Sequence, residues 1–416
     1  MSFLTSLARS WLTRSLKPFT FKSDYDQVLP YENLDNLGLY VHLPFCKNIC
    51  NFCPYCKKLY SEEESNKYIN ALIKEIHIVG SQSKEKKKVT SLYFGGGTPA
   101  LSAPRIHEII EAINEHFIIT EGIGLELHPD NVNKETLQTL KDAGVTKISI
   151  GIQSFRPKYQ SILGRKTVDT KTMKEALEAV PFETVSMDFI FALPSQTYED
   201  LEADVDEAFE LGANHVAIYP FIDFTFTSSK VKALPKKEKR ELLDAITKHC
   251  QEKGYPRSTI WTFSNKPEAK YSSMTRETFL GFGCSATTLL KDQFKINTFD
   301  VDSYIKRIEE GKLPTSLTIR FESEKARPAV VVAVPDGVNV LLAEMTSKRG
   351  KDQWAVYVGK EHILQGELSG YPAWIWTSQL FTAARSVIGQ KVARIKRIKM
   401  DEVRQRIVAL ATKVNF

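Results

Sequence analysis

Short apolar runs alternate with amphipathic stretches along the chain from Gly38 onward. Six runs have the length of buried strands, at 39–43, 91–94, 124–127, 147–150, 184–191 and 215–219. Apolar residues recur with the period of an α-helix in the five intervening segments, at 63–78, 105–116, 134–143, 171–179 and 198–211. Strands that alternate with helices predict an α/β protein with a parallel sheet, and six units indicate a partial (β/α)6 barrel of the TIM type.

The pattern changes after the sixth strand. A further helix at 236–253 and a glycine-rich segment at 279–286 are expected to close the side of the barrel. Beyond them the sequence predicts a small α+β domain, with strands at 330–334, 337–345, 353–358 and 362–368 and helices at 374–388 and 400–412. The predicted domains are an N-terminal extension at 1–37, the barrel core at 38–230, a flanking region at 231–317 and the α+β domain at 318–416.

Composition makes this a globular chain with no expected nucleic-acid partner. The 416 residues are 42% hydrophobic and 25% charged, which is ordinary for a soluble domain. The net charge of +6 comes without a dense basic block, and the runs at 86–88 and 236–237 are typical of solvated turns. A basic pocket for a polycarboxylate substrate would account for the same excess.

The first 17 residues are basic, rich in serine and free of acidic residues. Their apolar side chains stand at helical spacing, as Leu4, Leu7, Trp11 and Leu12. The segment suits a helix docked on the protein, an interfacial helix in peripheral contact with a membrane, or a mitochondrial transit peptide. No secretory signal or transmembrane run is apparent, so a cytoplasmic location is the leading expectation.

Four of the six cysteines fall between Cys46 and Cys56. Cys46-x3-Cys50-x2-Cys53 follows the first strand, and three thiolates in one loop can hold three irons of a 4Fe–4S cubane and leave the fourth open. The alternative is a zinc knuckle with Cys56 or His42 as fourth ligand. Cys56 could also contact substrate or be a small buried residue.

Other candidate residues stand at or near strand ends, where barrel enzymes place their chemistry. The glycine-rich turn at 95–99 ends the second strand and lets a ligand approach the backbone. Glu126, Gln153 and Asp188 lie at or near the ends of later strands, where they could bind a cofactor, cap helices or pair with lysines. Arg165 is either a carboxylate clamp or an ordinary surface arginine. Cys250 and Cys284 are expected to be structural.

Several motifs together resemble the oxygen-independent coproporphyrinogen III oxidase family of radical S-adenosylmethionine (SAM) proteins. They cover about residues 38–290 and comprise YVHLPFC at 40–46, NFC at 51–53, GGGTP at 95–99, SIGIQSF at 149–155, GR at 164–165 and the segment from Asp188 to LPSQT at 193–197. That family includes heme chaperones and class C radical SAM methyltransferases.

The resemblance implies a radical SAM barrel with a 4Fe–4S cluster on Cys46, Cys50 and Cys53. It implies contacts to one SAM, or to two as in certain members, from Tyr40, Phe52, Gly96, Gly97, Thr98, Glu126, Gln153, Arg165 and Asp188. An electron from a reductant such as flavodoxin or ferredoxin would cleave SAM to methionine and a 5′-deoxyadenosyl radical. The chain departs from the oxidase in two respects. Cys56 follows the third ligand by three positions instead of two, and the family's small helical C-terminal domain is not recognisable after Ser316.

The leading hypothesis is a radical SAM oxidoreductase that acts on a tetrapyrrole or a similar bulky conjugated substrate. The aromatic residues expected at the barrel exit are Tyr219, Phe221, Phe224 and Phe226, and the candidate catalytic residues are Arg165 and Cys56. The alternatives are a heme chaperone without enzymatic activity, a class C radical SAM methyltransferase and, more remotely, a zinc-binding structural module.

Overall fold

The computed structural model describes residues 20–22, 27–224, 227, 231–265, 278–291, 293–320, 329–334, 339–347, 349, 353–368, 370–384 and 391–413. The chain divides into two compact units, Met1–Phe321 and Glu322–Phe416, which are described separately. The amphipathic helix predicted within 1–17 lies outside the described residues.

The first unit contains strands and helices in alternation. Its strands are β1 (Thr20–Lys22), β2 (Leu37–Leu43), β3 (Phe45–Cys46), β4 (Lys58–Leu59), β5 (Lys87–Val89), β6 (Leu92–Gly96), β7 (Phe117–Ile119), β8 (Ile123–Leu127), β9 (Lys147–Gln153), β10 (Thr184–Phe191), β11 (His215–Pro220), β12 (Thr262–Ser264), β13 (Thr278–Phe282), β14 (Thr287–Leu289), β15 (Gln293–Asn297) and β16 (Thr315–Arg320). Its helices are α1 (Glu62–Gly80), α2 (Ala103–His116), α3 (Lys134–Asp142), α4 (Pro157–Ile162), α5 (Thr170–Ala179), α6 (Tyr198–Glu210), α7 (Lys236–Glu252) and α8 (Val301–Glu309).

The six predicted strands lie side by side in one sheet, in the order β2-β6-β8-β9-β10-β11, and each neighbouring pair is parallel. The helices α1, α2, α3, α5 and α6 connect them in turn. This arrangement confirms the partial (β/α)6 barrel that the sequence pattern predicts.

Period-two alternation separates the two faces of these strands. In β9, Ile148, Ile150 and Ile152 are fully buried, whereas Ser149 and Gln153 lie on the opposite face of the strand. The isoleucines join a continuous apolar core with residues of the surrounding helices, such as Leu137 and Leu140 of α3. The face of β9 that carries Ser149 and Gln153 therefore lines the barrel interior, where the site is built.

A seventh parallel strand extends the barrel beyond the predicted six. β13 pairs in parallel with β2 and contains the first half of the glycine-rich segment. Gly281 allows this strand to lie against the returning chain, since a Cβ at this position would lie 2.1 Å from the carbonyl oxygen of Thr287. β14, β15, β16 and β1 continue the sheet antiparallel. Residues 318–320, which the sequence pattern assigns to the C-terminal domain, are therefore part of the main sheet.

The second unit is a small α+β structure. Its elements are β17 (Ala329–Ala333), β18 (Asn339–Thr346), β19 (Val356–Val358), β20 (Ile363–Gly366), β21 (Ala373–Ala384), β22 (Ala393–Ile395) and helix α9 (Arg397–Lys413). β17, β18, β21 and β19 form one antiparallel sheet in that order, and β20 pairs with β22. Val403 of α9 is buried with Val356, Val358 and Ile375 in a separate core.

The helix predicted at 374–388 is wrong, because β21 occupies most of it. Ala373, Ile375 and Thr377 are buried, while Trp374 and Trp376 between them are only partly so. This alternation has the period of a strand. Tryptophan and isoleucine also favour strands, so the local composition agrees with the observed element.

Candidate functional site

The three spaced cysteines lie in a loop that begins where β2 ends. Cys46 ends β3, and its carbonyl accepts a 2.9 Å hydrogen bond from the Tyr60 amide. The Lys57 ammonium donates to the carbonyls of Cys50, at 3.5 Å, and of Cys53. No cysteine of the chain is in a disulfide. The loop therefore has a fixed backbone and carries three free, partly exposed thiols at the carboxyl end of a barrel strand.

Among the three thiols, that of Cys46 contacts the glycine-rich turn. The Thr98 hydroxyl donates to Cys46 Sγ at 3.8 Å. Burial raises the pKa of the Cys46 thiol, although the Thr98 hydrogen bond opposes this effect. Cys53 and Cys50 lie close enough to raise it further by charge repulsion. A metal cation bound by the three sulfurs would favour their ionised form and hold them as thiolates.

The glycine-rich turn packs directly against the cysteine loop. The Gly97 amide donates to the Leu43 carbonyl and the Thr98 amide to the Phe45 carbonyl, both at 2.8 Å. A Cβ on Gly97 would lie 2.6 Å from the carbonyl oxygen of Phe45, and Gly96 has a φ of +118°. Only glycine fits both requirements, so the turn and the loop form one unit.

Two acidic side chains from separate strands lie in the barrel interior. Burial, together with charge repulsion from the nearby Asp188, raises the pKa of Glu126 to about 7. Burial also raises the pKa of Asp188 to about 6, against hydrogen bonds from Ser149 at 2.8 Å and Ser186 at 3.3 Å. Both carboxyl groups would ionise more easily beside a cationic ligand.

Tyr40 lies beside these acids on β2. A Cβ on Gly95 would lie 3.0 Å from the Tyr40 hydroxyl and 3.1 Å from Glu126 Oε1, so all three residues meet at one point. The Tyr40 ring stacks on that of Tyr93 at a centroid distance of 6.5 Å. Tyr40, Glu126 and Asp188 thus line one continuous interior surface.

Arg165 and Phe52 form a second part of the site. The guanidinium of Arg165 lies 5.8 Å from the centre of the Phe52 ring and donates through Nη1 to the Gly151 carbonyl. Its Nε is buried and has no hydrogen-bond partner within the described residues. Gln153, at the end of β9, has a φ of +71°, an unfavourable value for a residue with a side chain. A buried, unsatisfied guanidinium donor next to a strained polar residue indicates a place for an anionic ligand.

Most predicted residues therefore come together, but Cys56 does not join the other loop cysteines. Its Sγ donates to the Phe299 carbonyl at 3.1 Å and lies beside Cys284 and His42. Ser149 and Ser186, which donate hydrogen bonds to Asp188, are not among the predicted site residues. Their inward-facing positions in β9 and β10 are the pattern that could have identified them. Cys284, which is expected to be structural, is buried in the turn after β13.

Only some of the aromatic residues expected at the barrel exit are available to a ligand. Tyr219 is 46% exposed, whereas Phe221 is buried against Tyr159 and Leu163 and is unavailable to a ligand. Phe224 is half-buried, and Phe226 lies outside the described residues. Tyr55 of the cysteine loop, which sequence reasoning overlooked, is 68% exposed.

Known proteins match the barrel over most of its length. Residues 40–208 match the family model of the radical SAM superfamily. The heme chaperone HemW of Lactococcus lactis is 30% identical over 282 residues, which are 64% of this chain and 73% of the relative. The chain belongs to the coproporphyrinogen III oxidase-like family of radical SAM proteins. Members of the superfamily use a 4Fe–4S cluster and SAM.

One further relative and one solved structure are similar to this chain. An oxygen-independent coproporphyrinogen III oxidase of Cereibacter sphaeroides is 28% identical over 306 residues, covering 67% of this chain and 68% of the relative. The structure of coproporphyrinogen III oxidase (HemN) from Escherichia coli matches the fold with a TM-score of 0.62 and 23% identity, over 69% of this chain and 72% of that chain.

The C-terminal region has a different resemblance. Residues 315–411 match the model of the PemK-like, MazF-like toxin of type II toxin–antitoxin systems. The match begins in β16 of the main sheet and continues through the second unit. This accounts for the absence of a recognisable family domain after Ser316.

The residues present fit the cofactors of the family. Three free thiols share one loop, the unsatisfied Arg165 Nε suits a carboxylate, and the interior acids suit a cationic ligand. Among the described residues, no helix is both long and apolar enough to cross a membrane.

Proposed function

We propose that this protein is a radical SAM oxidoreductase that acts on a tetrapyrrole or another bulky conjugated substrate. The observation that carries the proposal is the continuous site formed by the Cys46–Cys50–Cys53 loop, the 95–99 turn and the barrel interior at Glu126 and Asp188. When bound, the cluster and SAM would supply a 5′-deoxyadenosyl radical able to abstract hydrogen from substrate.

The chain's own residues would bind and orient SAM. Cys46, Cys50 and Cys53 would hold the cluster, and the exposed backbone of Gly96 and Gly97 would lie against the methionine part of SAM. The Arg165 guanidinium is suited to the carboxylate of SAM because its Nε lacks a partner within the described residues. Tyr40, Phe52, Thr98 and Gln153 would complete this pocket.

The interior acids are suited to the positively charged parts of SAM. A carboxyl group whose pKa is raised by burial becomes a stronger ligand once a cation restores its ionised form. Glu126 and Asp188, with pKa values of about 7 and about 6, are such groups. A second SAM is an extension of the same proposal.

The proposed substrate follows from the aromatic side chains near the barrel mouth. Tyr55 and Tyr219 each expose a large part of the side chain. Partial burial raises the pKa of both tyrosines, and the charges of Glu126 and Asp188 contribute to the rise. Both rings therefore lie near the proposed SAM site and could stack on a flat conjugated molecule. An electron would come from a flavodoxin- or ferredoxin-type reductant.

Anaerobic reconstitution tests the proposal. The full chain should take up about four irons and four sulfides, and with SAM and dithionite it should release 5′-deoxyadenosine. Cys50→Ala should lose the cluster, whereas the matched control Cys250→Ala, at a buried cysteine of α7, should keep it. An intact cluster that yields neither 5′-deoxyadenosine nor S-adenosylhomocysteine would refute an enzymatic function. Release of S-adenosylhomocysteine with a methylated product would instead identify a methyltransferase.

A heme chaperone is the second candidate, because relatives with that name match as well as the oxidases do. Heme titration followed by transfer to an apo-acceptor distinguishes the two. Stoichiometric heme binding and transfer without consumption of SAM would favour the chaperone. Turnover of coproporphyrinogen to a decarboxylated product would favour the oxidoreductase.

A further inference from the structure

Three metal-binding side chains outside the proposed cluster loop site converge beside the barrel. His42 comes from β2, Cys56 follows the cysteine loop, and Cys284 follows β13. One ligand atom of each lies within 4.8 Å of the other two. Ligands around one tetrahedral ion, with Zn–S near ~2.3 Å and Zn–N near ~2.0 Å, lie about 3.5–4 Å apart. Small adjustments of the three side chains would bring their ligand atoms into this arrangement.

His42 is buried beside both thiols. The ring is 4% exposed, and its Nδ1 lies 3.1 Å from the Tyr40 hydroxyl. Nε2 lies 3.3 Å from the Cys56 carbonyl oxygen, to which it can only donate. Zinc would replace this Nε2 proton, and Nδ1 would then carry the proton and donate to the Tyr40 hydroxyl. A second hydrogen bond of this kind fixes the tautomer of most metal-bound histidines. Burial lowers the pKa of His42 to about 4, so the ring is neutral at physiological pH.

Cys284 is fixed by its backbone. Its amide donates to the Tyr68 hydroxyl at 2.8 Å, and that hydroxyl donates to the His42 carbonyl at 2.8 Å. Ser285 follows with a φ of +55° and places its hydroxyl 3.2 Å from His42 Nε2. The chain thus turns sharply here so that the Cys284 thiol and the Ser285 hydroxyl both face His42.

Cys56 completes the group from the partly exposed side. Its Sγ accepts a hydrogen bond from Cys284, which is the main reason that the pKa of Cys56 falls to about 7. Phe299, whose carbonyl accepts from the Cys56 thiol, is 63% exposed. His42 and Cys284 are therefore held in place, whereas Cys56 lies close to solvent, where an ion could enter.

We propose that His42, Cys56 and Cys284 form a second metal site that binds Zn²⁺ through one imidazole nitrogen and two thiolates. Two thiolates neutralise the charge of the ion, and soft sulfur with imidazole suits zinc. The fourth position of the ion would face the Ser285 hydroxyl. This site is separate from the proposed cluster and requires no SAM chemistry.

The zinc would connect three parts of the barrel that are far apart in sequence. It would join the end of the cysteine loop to β2 and to the turn after β13. The Tyr40 hydroxyl contacts His42 on one side and faces the proposed SAM site on the other. Loss of zinc would therefore loosen the chain after Cys53 and the Tyr40 side of that site, without removing a cluster ligand.

Zinc analysis of the full chain tests the site. Protein reconstituted to about four irons is exposed to one equivalent of ZnCl₂, desalted and analysed for both metals. We expect about one zinc per chain, and zinc X-ray absorption with two sulfurs and at least one nitrogen in the first shell. Cys56→Ser and Cys284→Ser should each reduce the retained zinc at least tenfold with iron unchanged. Cys250→Ser should keep the zinc.

The iron measurement keeps this test independent of the proposed function. Failure of 5′-deoxyadenosine formation with zinc retained would overturn only the enzymatic proposal. Iron-loaded protein that retains no zinc, or zinc that persists in both Cys56→Ser and Cys284→Ser, would overturn the zinc site. Cys56 is partly exposed, so its substitution tests the site even if the Cys284 variant does not fold.

Discussion

The guanidinium of Arg165 lies 5.8 Å from the centre of the Phe52 ring. This contact joins the cysteine loop to the segment after α4. The same guanidinium donates to the carbonyl of Gly151 in β9, so one side chain connects three parts of the site. Its planar fork can donate to a backbone carbonyl, stack on an aromatic ring and still offer Nε to a ligand, which a lysine cannot do.

Arg165→Lys should therefore weaken SAM binding without loss of the cluster. Removing a charge-assisted hydrogen bond costs about 1.5–3 kcal/mol, so we expect a dissociation constant about tenfold to a hundredfold higher. Anaerobic equilibrium dialysis of SAM against the iron-loaded protein measures the change. Arg105→Lys, at a residue that pairs with Glu108 on α2, is the matched control and should bind SAM normally. Unchanged SAM affinity in Arg165→Lys would remove Arg165 from the site.

Glu126 makes SAM binding depend on pH. With a pKa of about 7, about one tenth of Glu126 is ionised at pH 6 and about nine tenths at pH 8. If the sulfonium or ammonium group of SAM binds the ionised form, affinity should rise about tenfold between these values. The dissociation constant measured at pH 6, 7 and 8 checks this.

Glu126→Gln supplies the control for that dependence. The amide keeps the size of the side chain but cannot ionise, so the affinity should be weaker and nearly flat across this range. Asp188 stays in place in the variant, and because its pKa is about 6 it contributes only the lower part of the slope. An undiminished slope in Glu126→Gln would assign the titration to another group.

The sequence predicts the barrel because each strand carries its own local pattern. The run around Ile148, Ile150 and Ile152 is apolar whether or not its neighbours are known. β13 could not be found in this way, because its Gly-Phe sequence is weakly patterned and its place next to β2 depends on pairing between distant segments. The helix predicted over most of 373–384 is wrong for a different reason. The apolar residues there are dense enough to fit either the helical or the strand period.

The candidate site also has a part that the sequence predicts and a part that it does not. Cys46, Cys50 and Cys53 share one loop, so their spacing alone predicts their proximity. Cys56 has the same neighbours in sequence, yet it faces Cys284 and His42 instead of joining the three. That contact depends on the sheet order, which brings the end of β13 next to β2. Long-range topology of this kind leaves no signal in the spacing of the cysteines.

Gly97→Ala should disturb the cysteine loop. The new Cβ would lie 2.6 Å from the Phe45 carbonyl oxygen and 2.7 Å from the Pro44 carbonyl carbon, which are backbone atoms and cannot rotate away. We expect slower and incomplete cluster uptake, measured as iron per chain after a fixed reconstitution time. Gly370→Ala is the matched control, because a Cβ there meets nothing within 4 Å. Equal iron content in the two variants would contradict the close packing of the turn on the loop.

Glu75 should make the stability of the barrel depend on pH. It is buried on α1 and accepts hydrogen bonds from Tyr304 Oη at 2.6 Å and the Gly283 amide at 2.7 Å. Burial nevertheless raises its pKa from 4.5 to about 7. The folded state therefore holds a proton that the unfolded state loses above pH 4.5, so this contribution to the free energy of unfolding is complete below pH 4.5 and decreases as the pH rises to about 7.

The decrease from this group is at most about 3–4 kcal/mol, from about 1.4 kcal/mol for each pKa unit. Glu75→Gln should abolish it, so the free energy of unfolding of the variant should change less between pH 5 and pH 7 than that of the parent. Urea denaturation at several pH values, followed by circular dichroism, measures both. Glu62→Gln, at an exposed residue of the same helix, should keep the pH dependence of the parent. If Glu75→Gln keeps the slope of the parent, Glu75 is ionised in the folded protein and its hydrogen bonds outweigh the cost of burial.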